Sequence, residues 1–290
     1  MNKHRIIIIF IIVFFIVIIL FYLASLKAET TSNAMGIIVT VGPEMEFVKA
    51  VGGDNVYVTL MVPPGADPHT YEPLPDQLKY VANSKMYIEV GTPIEFELNY
   101  MDKMKEINPN MLVVNSSQGI SLIPNTAEHE NNSDPHLWVS PKNAKIMVEN
   151  IYQGIIKLDP NNTAYYTKNR DNYLKQLDEL NNNITDSLKN KENNQIIVYH
   201  PSWAYFCRDY NLIQIPIETG GKEPTSQIIA STIMLAKKNN IKVIFIEPQY
   251  SSKSEDVIAS EINGKVVKID DLAENYITNL NNVAKIFASV

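Results

Sequence analysis

Short apolar runs alternate with helical stretches along most of this chain, and that alternation limits the folds open to it more than any other feature. Runs at 37–41, 56–62, 86–90 and 111–114 read as strands, separated by helical patterns at 43–51, 75–82 and 93–107. The scheme returns after residue 191, with strands at 195–199, 212–217, 242–246 and 265–269 and helices near 203–209, 225–239, 252–262 and 272–288. Several of the helices open on proline, which the first helical turn tolerates because its N–H groups have no intrahelical partner. Strand–helix alternation of this kind predicts two parallel-sheet α/β lobes.

The middle of the chain breaks the pattern. Ala144, Met147, Val148, Ile151, Ile155 and Leu158 form a helical stripe. After Asp159-Pro160 comes a second stripe of Tyr173, Leu174, Leu177, Leu180, Ile184 and Leu188 at spacings of three and four. One helix over 161–190 would be about 45 Å long, enough to run from one lobe to the other. The expected division is therefore an N-terminal lobe at 36–158, a long linking helix at 159–191 and a C-terminal lobe at 192–290. A cleft between the lobes would be bounded by the carboxyl ends of the strands.

The N-terminus is of another kind. Lys3, His4 and Arg5 precede an unbroken apolar run at 6–23, and a small polar linker follows at 27–35. Eighteen apolar residues can cross a hydrocarbon core roughly 30 Å thick. Residues 1–26 therefore read as an uncleaved membrane anchor, with a signal segment cleaved near Ala28 as the alternative. The positive start leaves the N-terminus inside, so the rest is expected outside the cytoplasm, tethered or secreted. With a net charge of −7 the chain lacks the basic footprint of a nucleic-acid binder. Cys207 is the only cysteine, which excludes an intrachain disulfide, a cysteine metal cluster and a lipid-bearing cysteine after the apolar run.

Of the five histidines, His4 belongs to the apolar segment and His129 to a polar stretch, Glu128-His129-Glu130. The others are evenly placed with one aspartate: His69, His136, His200 and Asp270 are 67, 64 and 70 residues apart. Each ends a strand or lies in a loop after one. Three imidazoles and a carboxylate are the borderline donors that zinc takes in tetrahedral geometry at about 2.0–2.2 Å. An all-oxygen set would have pointed to calcium or magnesium instead. Taken singly, a loop histidine is commonly a surface residue, and Asp270 could simply cap a helix, with Asp271 as competing cap and competing ligand.

Gly65-Ala66-Asp67-Pro68-His69-Thr70-Tyr71-Glu72, Asp134-Pro135-His136-Leu137-Trp138 and Tyr199-His200-Pro201-Ser202-Trp203-Ala204-Tyr205-Phe206 resemble the zinc- and manganese-binding proteins of ABC importers. Ser140-Pro141-Lys142-Asn143-Ala144, Glu223-Pro224-Thr225 and Phe245-Ile246-Glu247-Pro248-Gln249-Tyr250 belong to the same resemblance, which runs in order from about Ile37 to the end. It implies the helix-backbone class of solute-binding fold, one metal between the lobes, and delivery to a membrane permease. The family's ligand positions fall on His69, His136, His200 and Asp270. Two departures stand out: the long His- and acid-rich loop of the zinc importers is reduced to Glu128-His129-Glu130, and Asp271 replaces the proline that commonly follows the last ligand.

Zinc is the expected metal, because a nitrogen-rich set suits it better than manganese, the alternative within the same family. A zinc hydrolase is the rival from another class, but the fourth ligand seat is expected to be filled and no His-Glu-x-x-His segment exists. The expectation is a monomeric, non-enzymatic binder. Glu72, Asp134 and Glu247 are candidates to orient the imidazoles through their second nitrogens, and Trp138, Trp203 and Tyr205 to wall the site from water.

Overall fold

A computed structural model describes residues 34–124, 133–218, 220–251 and 253–290. The apolar segment at 1–26, most of the linker and His129 lie outside the described residues. Among the described residues no helix is long and apolar enough to cross a membrane. Regular structure begins at Met35, so the last residue assigned to the linker is already strand.

The N-terminal half runs β1 (Met35–Val39), α1 (Gly42–Gly52), β2 (Val56–Leu60), α2 (Pro75–Asn83), β3 (Met86–Glu89), α3 (Glu95–Ile107) and β4 (Leu112–Asn115). Two helices follow, α4 (Pro141–Leu158) and α5 (Thr163–Leu188). The C-terminal half is β5 (Gln195–Val198), α6 (Ala204–Tyr210), β6 (Ile213–Pro216), α7 (Ser226–Lys238), β7 (Val243–Ile246), α8 (Ser254–Glu261), β8 (Lys265–Lys268) and α9 (Tyr276–Ala288).

The strand order is β2-β1-β3-β4 in one sheet and β6-β5-β7-β8 in the other. Both sheets thus step one way from their first strand and then the other. The pairs β1–β3, β3–β4, β5–β6, β5–β7 and β7–β8 are all parallel. Parallel sheets are covered on both faces by their crossover helices, so inner strands read as continuous apolar runs. Val243–Ile246 is buried at every position, whereas the edge strand Ile213–Pro216 is exposed at both ends. Where each sheet reverses direction, between β1 and β3 and between β5 and β7, a crevice opens at the carboxyl ends of the strands.

The helix α4 starts as its sequence dictates: the Ser140 hydroxyl accepts from Asn143 N, and Pro141 occupies the first turn. Its stripe from Ala144 to Ile155 is buried, but Leu158, at the end of the helix, is exposed. The 26 residues of α5 make a rod of roughly 39 Å. Tyr166, Tyr173, Leu177, Leu180, Ile184 and Leu188 are its buried side chains, and it packs against α1 and α4 of the first half and α9 of the second.

Several helices begin later than the apolar pattern suggests. The one expected from 93 begins at Glu95, and the one expected from 272 begins at Tyr276. In the second case backbone groups are committed elsewhere. Leu272 N donates to Asp270 Oδ1, while the carbonyls of Asp270 and Asp271 accept from Asn279 Nδ2 and Trp138 Nε1. A backbone so engaged cannot also make helical bonds.

Candidate metal centre

His69 and His136 stand in two copies of one local structure. In Asp67-Pro68-His69 the first carboxylate accepts from the histidine's own N–H, Asp67 Oδ1 to His69 N at 2.9 Å. In Asp134-Pro135-His136 the same bond is 2.8 Å. Aspartate closes such a turn onto the backbone two residues on, and the intervening proline fixes φ. Each turn is then fastened to the first lobe. Phe96 N, in the first turn of α3, donates to the carbonyl of Pro68, and Thr92 Oγ1 donates to that of Pro135. His200 arrives differently, two residues beyond the end of β5.

The three side chains converge. His136 Nε2 lies 3.2 Å from His69 Nε2 and 3.1 Å from His200 Nε2. Donors held at zinc–nitrogen length around a tetrahedral ion are about 3.3 Å apart, so the spacing is that of one shared ion. Among the described residues, these three form the group of possible ligand atoms lying within 4.8 Å of one another.

The other ring nitrogens explain why the lone pairs face inward. His69 Nδ1 donates to Glu95 Oε2 at 2.5 Å, His136 Nδ1 to Asp134 Oδ1 at 3.1 Å, and His200 Nδ1 to Glu218 Oε2 at 2.6 Å. A carboxylate accepts only, so each Nδ1 keeps its proton and each Nε2 presents a lone pair. Three lone pairs aimed at one point are stabilised by a cation.

Burial divides the pairs. The His69 side chain is 21% exposed and Glu95 51%, whereas His200 and Glu218 are 9% and 4% exposed. Desolvation lowers the pKa of both histidines, but at His69 the hydrogen bond and charge of Glu95 outweigh it and the value ends raised. At His200 desolvation wins over Glu218, helped by the neighbouring imidazoles, and the value ends lowered. Glu218 itself is pushed up by burial but pulled further down by His200.

Of the expected orienting carboxylates, Asp134 takes the role, and Glu72 and Glu247 do not. Glu72 is exposed. Glu247 is buried and accepts from Trp203 Nε1 at 3.0 Å; burial and the nearby Asp271 hold its carboxyl well above the usual range. Glu95 and Glu218 were not foreseen. Glu218 lies two residues past Pro216, which pairs with Val198 between β5 and β6, just as His200 lies two residues past Val198. Trp203 lies in the aromatic core with Phe206 and Phe287 rather than on the cleft wall. Trp138 packs edge-on to the His136 ring at 5.5 Å, and Tyr205 donates to the Asp134 carbonyl at 3.0 Å.

Asp270 stands two residues past β8, outside the converging group, with its carboxylate bonded to Leu272 N at 2.8 Å. Asp271 is the more buried of the two and accepts from Gln249 Nε2 at 2.9 Å. The histidines open onto a cleft of about 850 Å³, lined among others by Asp67, Glu95, Asp134, Glu218, Glu223 and Tyr250.

Two parallel sheets meeting at a cleft, one long helix, and three imidazoles aimed at a common point define a solute-binding protein whose solute is a metal cation. Residues 37–290 match the family described as zinc-uptake complex component A, periplasmic (ZnuA), and the chain belongs to that family. The high-affinity zinc uptake system protein ZnuA of Bacillus subtilis (strain 168) is 30% identical over 84% of this chain and 81% of its own length. A crystal structure of ZnuA superposes with a TM-score of 0.85 at 40% identity, covering 89% of this chain and 99% of that one. A zinc-bound ZnuA deletion mutant gives 0.83 at 40% identity, over 88% and 97%.

Proposed function

We propose that this protein captures a single zinc ion outside the cytoplasm on His69, His136 and His200 and hands it to the permease of an ABC importer. The observation that carries the proposal is the convergence of three Nε2 atoms at 3.1–3.2 Å, each imidazole held by a carboxylate on its far nitrogen. Family membership supports zinc as the cargo. Three nitrogen donors favour zinc over the oxygen-preferring manganese. Asp270 is proposed as the fourth donor, brought in from the loop before α9.

Capture rather than catalysis is the reading that family membership supports; with Asp270 as the fourth donor, no seat would be left for the water that a hydrolytic zinc keeps. Residues 1–26 are proposed to tether the binding lobes to the membrane, with 36–158 and 192–290 as the lobes and 159–191 between them. The protein is proposed to act as a monomer.

Calorimetric titration with zinc, followed by competition with manganese, tests the reading. One zinc per chain, lost on His136→Ala and not displaced by equimolar manganese, is the expected result. Unchanged stoichiometry and affinity in His136→Ala would overturn it.

A further inference from the structure

The loop that carries Asp270 belongs by sequence to the C-terminal half, yet the first half holds it. The Trp138 indole N–H donates to the Asp271 carbonyl at 2.8 Å, across 133 residues of chain. Trp138 is completely buried and stands two residues beyond His136, whose ring it also touches. On its next residue the loop meets α1 so closely that a methyl group at Gly42 would lie 1.9 Å from the Leu272 carbonyl oxygen. A backbone neighbour of that kind cannot step aside. Beyond the loop, Tyr276 packs edge-on against Phe47 at 4.8 Å, and Ile277 N donates to Glu46 Oε1, which also accepts from Tyr173. From its own side the loop is held by Asn279, whose amide donates to the Asp270 carbonyl at 2.5 Å.

We infer that Trp138 and Asn279 are positioning residues for zinc capture, Trp138 fixing the Asp270 loop to the segment that bears His136 and Asn279 fixing it to α9. The inference rests on the reading of Asp270 as the fourth donor. His136 and Asp270 then form one rigid body, while His200 rides on β5. A buried carbonyl that loses a donor is costly, and a ligand that loses its anchor is misplaced before the ion arrives.

The test is the rate of zinc release into excess chelator from the full chain, for Trp138→Phe, Asn279→Ala, Asp270→Asn, and each of the first two combined with Asp270→Asn. Trp138→Phe keeps an aromatic ring and removes the N–H; Asn279→Ala removes one amide at the margin of the fold and serves should the first variant fail to fold. Each single variant is expected to release zinc about tenfold faster, the scale of one lost hydrogen bond. Combined with Asp270→Asn, neither should add further loss, because both act through that carboxylate. A purely structural role would lower the melting temperature of the metal-free protein and leave the release rate unmoved. Wild-type release in Trp138→Phe and Asn279→Ala, or losses that add to that of Asp270→Asn, would overturn the inference while leaving Asp270 a donor. Wild-type release in Asp270→Asn itself would instead remove the fourth donor, and the inference with it.

Discussion

The His69–Glu95 and His200–Glu218 pairs make the same bond at nearly the same length, 2.5 and 2.6 Å, in opposite surroundings. Glu95 is half exposed, in the first turn of α3, whereas Glu218 is enclosed and its second oxygen also accepts from Gly221 N. At the open end the carboxylate governs the imidazole and raises its pKa; at the closed end burial governs and lowers it. A site built this way keeps one imidazole ready for a proton and another that resists it. Both must be neutral to bind zinc.

The largest expected effect separates the two ligands themselves. His200→Ala should weaken zinc binding more than about a hundredfold, and His69→Ala less, because water reaches the open end and can substitute there. Titration calorimetry decides it; equal losses would remove the distinction between the ends. Next come the carboxylates. Glu218→Gln should cost about a hundredfold in affinity and Glu95→Gln about tenfold, since an exposed partner is screened by solvent. A larger loss for Glu95→Gln would reverse the ranking.

The pH dependence sharpens the same contrast. Protons compete with zinc for Nε2, so affinity falls on acidification. The raised pKa of His69 makes it the first of this pair to be protonated as pH falls, and the lowered value of His200 makes it the last. Glu95→Gln removes what raises His69, so affinity should begin to fall at a lower pH than in wild type. Zinc titrations from about pH 8 to about pH 5 would show that displacement, and an unchanged onset would count against it. The smallest effect is expected outside both pairs: His129→Ala should leave zinc affinity within about twofold. A large loss there would mean that the ligand set is wrong.

Much of this architecture can be read in the chain because parallel strands buried on both faces are written as unbroken apolar runs, such as Val243–Ile246. The three histidines are legible for a related reason: His69 and His136 share the Asp-Pro-His turn, and His200 comes two residues after a strand. Glu95 is harder to find. An acid in the first turn of a helix is expected for its effect on the helix dipole alone, and nothing local reveals a partner 26 residues away. The helix expected at 272–288 starts only at Tyr276, and part of what holds the residues before it comes from the far half, the Trp138 bond to the Asp271 carbonyl and the close approach of Leu272 to Gly42. Such long-range competition leaves no local mark.

Among the described residues lining the cleft are five carboxylates and no lysine or arginine. Charge of one sign in a low-dielectric recess draws ions of the other sign by diffusion, raising encounter rates by about ten- to a thousandfold at low ionic strength. Loading should therefore slow as salt is added, because a screening length of about 10 Å or less removes that attraction, while departure of the ion, governed by bonds inside the site, keeps its pace.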